Sequence, residues 1–163
     1  QQQETPNSTN NEKINIDYTT KRPDLSAGTF VFENESITLE DGRAETNLPG
    51  VDGKIETVLT DKLAYGELNG DNKEDAAALF IQEGGGSGTF VYLGAYVSGT
   101  VRYNGSNTIF LGDRISPQFI TIDNQVITVN YLDRKEDEAL AATPSVSVKR
   151  NFIYISGELR ELK

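Results

Sequence analysis

In GELNGDNKEDAAALFIQ, residues 66–82, oxygen-bearing side chains recur at alternate positions: Glu67, Asn69, Asp71 and Asp75, with the Lys73 carbonyl between the last two. Counted from Glu67, these are positions 1, 3, 5, 7 and 9 of a calcium-loop pattern, in which a tightly wound chain aims alternate oxygens at one centre. Gly70 and Asn72 suit such winding, because Gly and Asn adopt positive φ at little cost. There are two departures. Position 1 is Glu where Asp is usual, so the carboxylate reaches one methylene further. Position 12 is Ala78, so the bidentate Glu of an EF-hand is missing. The stretch is closer to the shorter D-x-N-x-D-x-x-x-D loop found between β-strands. It is therefore either a cage for one hard cation, calcium in the first place, or a polar strand-to-strand connection that binds nothing. Unfilled, Glu67, Asp71, Glu74 and Asp75 would repel one another, and a divalent ion would relieve that repulsion.

Other chemistry is narrowed by what the chain lacks. It has no cysteine and no histidine. That removes disulfides, thiol nucleophiles, the Ser-His-Asp relay and the common zinc and iron ligands. Oxygen ligands remain, and these suit calcium or magnesium. Asp113-Arg114 and Asp133-Arg134 each follow an apolar run. Arg114 and Arg134 could grip a carboxylate or sugar ligand at strand ends, or simply pair with loop backbone and orient strands. Gly84-Gly85-Gly86-Ser87-Gly88 lacks the Lys and Ser/Thr of a phosphate loop and runs into a strand, so it is expected to be a hairpin connection. Tyr92, Tyr96, Tyr103 and Tyr131 could line a sugar-stacking face or sit at core edges. No catalytic residue is singled out: 25 acidic residues offer many carboxylate pairs, and sequence selects none of them.

The elements that must hold these groups are strands. The 163 residues suffice for a core of their own, and 36% are hydrophobic. TFVF (29–32), SITLE (36–40), Asp41-Gly42 and RAET (43–46) alternate runs with turn signals. AALFIQ (77–82) and TFVYLGAYV (89–97) flank the glycines. TVRY (100–103) should turn at Asn104-Gly105 into NTIFL (107–111). QFITI (118–122) should turn at Asp123-Asn124 into QVITVNYL (125–132), and SVSVKRNFIYI (145–155) at Ser156-Gly157 into ELREL. In QVITVNYL, Ile127, Val129 and Tyr131 share one face, the period of a half-buried strand. IETVLTDKLAYG (55–66) could form a short helix, and DRKEDEALAAT (133–143) a turn or two. The expected fold is mainly β, an antiparallel meander sheet or sandwich with at most one or two short helices. Residues 1–13 form a polar, disordered leader, and 14–163 a single β-rich domain.

A formal net charge of -10 argues against nucleic acid and against docking on an anionic membrane. No run approaches the roughly 20 apolar residues of a transmembrane helix. The chain contains no Met, so a mature form that has lost its targeting segment is expected.

The ordered blocks ELNGDNKEDAAALFIQ, EGGGSGTFVYL, FLGDR and VNYLDR resemble those of a family of bacterial exported proteins and lipoproteins of unassigned activity. Its pattern reads D-[LF]-[ND]-G-D-G-x-[ED]-D, then GGSGTFYYL, LLGDR and V-x-Y-x-DR. Glu67 and Asn72 depart from it, where Asp and Gly are usual. The resemblance implies export to the periplasm or outer membrane and a lipid anchor upstream of Gln1. The expected role is that of a non-enzymatic envelope protein, structural or ligand-binding, with calcium at the 67–75 loop and a protein or carbohydrate partner. The alternative is a carboxylate-dependent, glycosidase-like hydrolase acting on envelope carbohydrate.

Overall fold

The computed structural model describes residues 22–163. The leader expected over residues 1–13 lies outside the described residues. The protein is mainly β and antiparallel, as expected, and the one helical element among the described residues is a 3-10 turn, Leu25–Ala27. A hairpin of β1 (Thr29–Phe32) and β2 (Glu35–Thr38) comes first. β3 (Arg43–Asn47), β4 (Lys54–Gly66), β5 (Asp75–Glu83), β6 (Thr89–Ser98) and β7 (Tyr103–Gly105) then meander through one sheet. In that sheet β8 (Ile109–Asp113) shares the far edge of β6 with β7. β9 (Ser116–Asp123), β10 (Val126–Asp133), β11 (Val146–Ile155) and β12 (Glu158–Leu162) meander through a second sheet.

The six-stranded sheet is the middle layer, and period-two alternation divides its side chains between two cores. On one face Leu79, Leu93, Ala95 and Val97 pack against Ile127, Val129, Tyr131 and Phe152 of the second sheet. On the other, Ala76, Ala78, Phe80 and Tyr92 pack against Phe30, Phe32 and Ile37 of the hairpin. β5 is covered on both sides, which is why AAALF reads as an uninterrupted apolar run. Asn107 ties the layers together. Its backbone bridges to Val31, and its side-chain amide brackets Leu159, accepting from the Leu159 N–H (2.8 Å) and donating to the Leu159 carbonyl (3.0 Å).

Four expectations are corrected or refined. Residues 55–66 are strand, not helix. Ile55, Leu59 and Leu63 lie four apart, a spacing that both a helix face and a strand face satisfy, and pairing on both edges decides for the strand. A bulge between Leu59 and Leu63 is held by Thr60, whose Oγ1 donates to the Leu79 carbonyl (2.8 Å) and accepts from the Lys62 N–H (3.1 Å). Residues 134–145 likewise hold only hydrogen-bonded turns, at Lys135–Glu138 and Ala139–Ala142. TVRY is not a strand: Gly99 to Arg102 form the turn, with Val101 94% exposed, and Asn104-Gly105 lie within β7. A Cβ at Gly105 would fall 1.8 Å from the Thr29 carbonyl, so this glycine serves the close passage of β1, not a turn. Finally, Asp41-Gly42 does turn, closing the bridge between Glu40 and Arg43. It carries the chain from the hairpin layer into the middle sheet without extending into a β2–β3 ladder.

Candidate metal site

Residues 67–74 connect β4 to β5, and the last β4–β5 pair, Gly66 with Asp75, brings both ends of the loop together. Asp75 opens β5 and is wholly buried. Its Oδ2 accepts from the Leu68 N–H (2.7 Å) and its Oδ1 from the Ser98 N–H (2.8 Å). Burial raises the Asp75 pKa above the ordinary aspartate value; the Ser98 and Leu68 bonds pull it down without cancelling that. Glu67 Oε1 gathers the N–H groups of Asn69 (3.0 Å), Gly70 (2.6 Å) and Asp71 (3.3 Å). The chain can wind this tightly because Gly70 (φ 81) and Asn72 (φ 63) take left-handed conformations.

One carboxylate oxygen from each of Glu67, Asp71 and Asp75 lies within 4.8 Å of the other two. At that limit a common centre lies about 2.8 Å from each oxygen, so a small inward movement would bring all three to calcium–oxygen distance. Glu67 Oε2 is buried and has no hydrogen-bond partner. A buried carboxylate oxygen without a donor is costly, and an ordered water or a cation would satisfy it. Asp71 Oδ1 accepts from the Lys73 N–H (2.9 Å) and its Oδ2 from the Ser98 hydroxyl (2.5 Å). Burial pushes its pKa up, yet the bonds from Ser98, Lys73 and Asn69 and the Lys73 charge outweigh that and leave it lowered. Tyr103 feels the same field: burial first, then the charges of Asp75, Asp71 and Glu74, raise its hydroxyl pKa. That hydroxyl donates to the Glu74 carbonyl (2.7 Å).

The remaining loop residues have other partners. Asn69 accepts from the Asp71 N–H (3.2 Å) and donates to the Ser98 carbonyl (2.8 Å). The Lys73 ammonium reaches the Gly99 carbonyl (3.3 Å), and Glu74 pairs with Arg22 (3.3 Å). Ser98 is the residue that sequence reasoning missed. Its N–H, hydroxyl and carbonyl engage Asp75, Asp71 and Asn69 in turn. Nothing local in TFVYLGAYVS marks it; only the β5–β6 register brings the end of β6 against the loop.

Arg114 and Arg134 meet at one corner. Arg114 forks onto its neighbour Asp113 (3.1 Å twice), and this bond, above all else, lowers the Asp113 pKa. Arg134 donates to the carbonyls of Ala142 (2.6 Å), Arg114 (2.9 Å) and Asp113 (3.3 Å). Both guanidinium groups are thus engaged by the protein. The four tyrosines do not share a face: Tyr92 and Tyr96 belong to the hairpin side, and Tyr131 is buried in the other core. No family model matches the chain, nor does any curated protein or solved structure.

Proposed function

We propose that the chain is a non-enzymatic structural or binding protein of the bacterial envelope that carries one calcium ion in the 67–75 loop. The observation that carries the metal is Glu67 Oε2, a buried carboxylate oxygen with no donor, beside two further convergent carboxylates. Glu67, Asp71 and Asp75 would hold the ion, with Asn69 Oδ1 and the Lys73 carbonyl completing the oxygen set. An all-oxygen, mostly anionic donor set is the chemistry that suits calcium. Bound there, the ion would neutralise the acids that Ser98 gathers and lock the β4–β5 connection to the end of β6, adding stability and not catalysis. Placement in the envelope rests on the resemblance of the ELNGDNKED, GGSGTF and LGDR blocks to exported proteins.

A hydrolase reading gains less support. A groove of about 450 Å³ is lined by Glu40, Glu45 and Glu56. There, however, Glu56 pairs with Arg43 and Glu45 with Lys54, so those carboxylates are engaged by cations. Thermal unfolding with calcium, with magnesium and with chelator tests the proposal. The midpoint should rise with calcium and fall back with chelator. Identical midpoints in all three would remove the metal.

A further inference from the structure

The hairpin covers only part of the middle sheet. β1 and β2 have four residues each, whereas β5 and β6 have nine and ten, so the outer ends of β5 and β6 project beyond it. There a groove of about 410 Å³ opens. Its floor is a run of rings: Phe90 to Phe110 (6.1 Å between centroids), Phe110 to Tyr92 (5.5 Å) and Tyr92 to Phe32 (5.3 Å). Phe110 is 48% exposed and Phe90 36%, although the residue that follows each in its strand, Leu111 and Val91, is buried. Phe90 and Phe110 are the exposed rings of this run, with Tyr92 and Phe32 buried beneath them, and together they give the groove an apolar face open to solvent.

The rim decides what fits. Glu33 and Glu35, at the hairpin tip, line the groove, and neither forms an ion pair among the described residues. Among the described residues no Lys or Arg lines it. Side-chain donors are few: Gln82 already gives a hydrogen bond to Thr57 Oγ1 (3.0 Å) and the Thr46 hydroxyl is shut off from solvent, which leaves the Tyr92 hydroxyl, donor and acceptor at once. Glu33 lies close enough for its charge, after burial, to raise the Tyr92 pKa. The groove is therefore apolar below, anionic at its edge and rich in acceptors. A neutral sugar offers and demands hydrogen bonds in equal measure. A guanidinium or ammonium group on an apolar stem offers donors only, stacks on aromatic faces and is drawn by the acid rim.

We propose that this groove binds a basic, apolar peptide segment, with an Arg or Lys side chain at Glu33 and Glu35 and an aromatic or aliphatic side chain on Phe90, Tyr92 and Phe110. It goes beyond the cation loop and stands apart from it, since none of these residues belongs to the 67–75 site.

The test is a titration of nitrogen-15-labelled protein, followed by amide chemical shifts. The probe is acetyl-Phe-Arg-Phe-Arg-amide. The charge-reversed acetyl-Phe-Glu-Phe-Glu-amide and the neutral sugar cellohexaose serve as comparisons. The basic peptide should shift amides around Phe90, Phe110, Gln82 and Glu35, and should bind more weakly as salt rises. Phe110→Ser should abolish the shifts, and the Glu33→Gln/Glu35→Gln pair should weaken binding at least tenfold. The pair touches only exposed side chains, so it keeps the test decisive if Phe110→Ser fails to fold. Equal or tighter binding of the acidic peptide or of cellohexaose overturns the proposal. Shifts elsewhere on the surface, or none at millimolar peptide, also overturn it.

Discussion

Replacing Glu67 by Gln separates a cation loop from a self-satisfied polar turn. Oε1 receives three backbone N–H groups while Oε2 receives none, so a glutamine that keeps its oxygen at the Oε1 position preserves every bond. Losing the charge weakens those bonds by about 1–2 kcal/mol in total. It also removes repulsion from two carboxylates within 4.8 Å, about 1–3 kcal/mol per pair for an effective dielectric between that of water and 20. In chelator, then, Glu67→Gln should melt at or above the wild type. Calcium at a hundred times its dissociation constant should add about 2.7 kcal/mol to the wild type, or about 5–11 °C for a domain of this size. The variant should gain less than half of that, so calcium shifts the difference between the two midpoints toward the wild type by more than about 1.4 kcal/mol. Differential scanning calorimetry in the two buffers reads both numbers. A variant that loses more than about 2 kcal/mol in chelator and gains nothing different from wild type in calcium would refute the reasoning. The carboxylate would then serve only to wind the turn.

Two further outcomes follow from the framework. Arg150 forks onto Glu161 (2.8 and 2.7 Å), and Arg114 onto Asp113; these bonds, first among the causes, lower both carboxylate pKa values. Groups with depressed folded pKa values contribute stability above their unfolded values and lose it as pH falls through the folded ones. In chelator, unfolding free energy should therefore drop on acidification below about pH 4.5, and Glu161→Gln should flatten that slope; an unchanged slope would contradict the assignment. Asn107→Asp would set a carboxylate oxygen against the Leu159 carbonyl in place of a donor, at a cost of about 2 kcal/mol in urea unfolding. A neutral substitution would show that the bracket on β12 is dispensable.

The fold was legible where one strand carried one period. In QVITVNYL, Ile127, Val129 and Tyr131 are buried, as their alternation demands. Ser156-Gly157 turns as its residue types require, with φ values of 52 and 82. The turn expected at Asp123-Asn124 falls one residue later, on Asn124 and Gln125 (φ 48 and 62), a shift that composition does not reveal. The helix expected over 55–66 failed because four-residue spacing does not distinguish a bulged strand from a helix. In the site, the winding of Glu67 to Asp75 was legible because it is local. Ser98 was not: its three bonds to the loop arise from strand register, which depends on contacts 23 and more residues apart. The Phe90–Phe110 groove escaped for the same reason, since its depth is set by how far the hairpin fails to reach.

Isothermal titration of calcium into chelator-stripped protein tests the central claim most directly. One saturable site per chain, strongly weakened in Glu67→Gln, is predicted. The absence of saturable heat in the wild type, or equal binding by the variant, would contradict it.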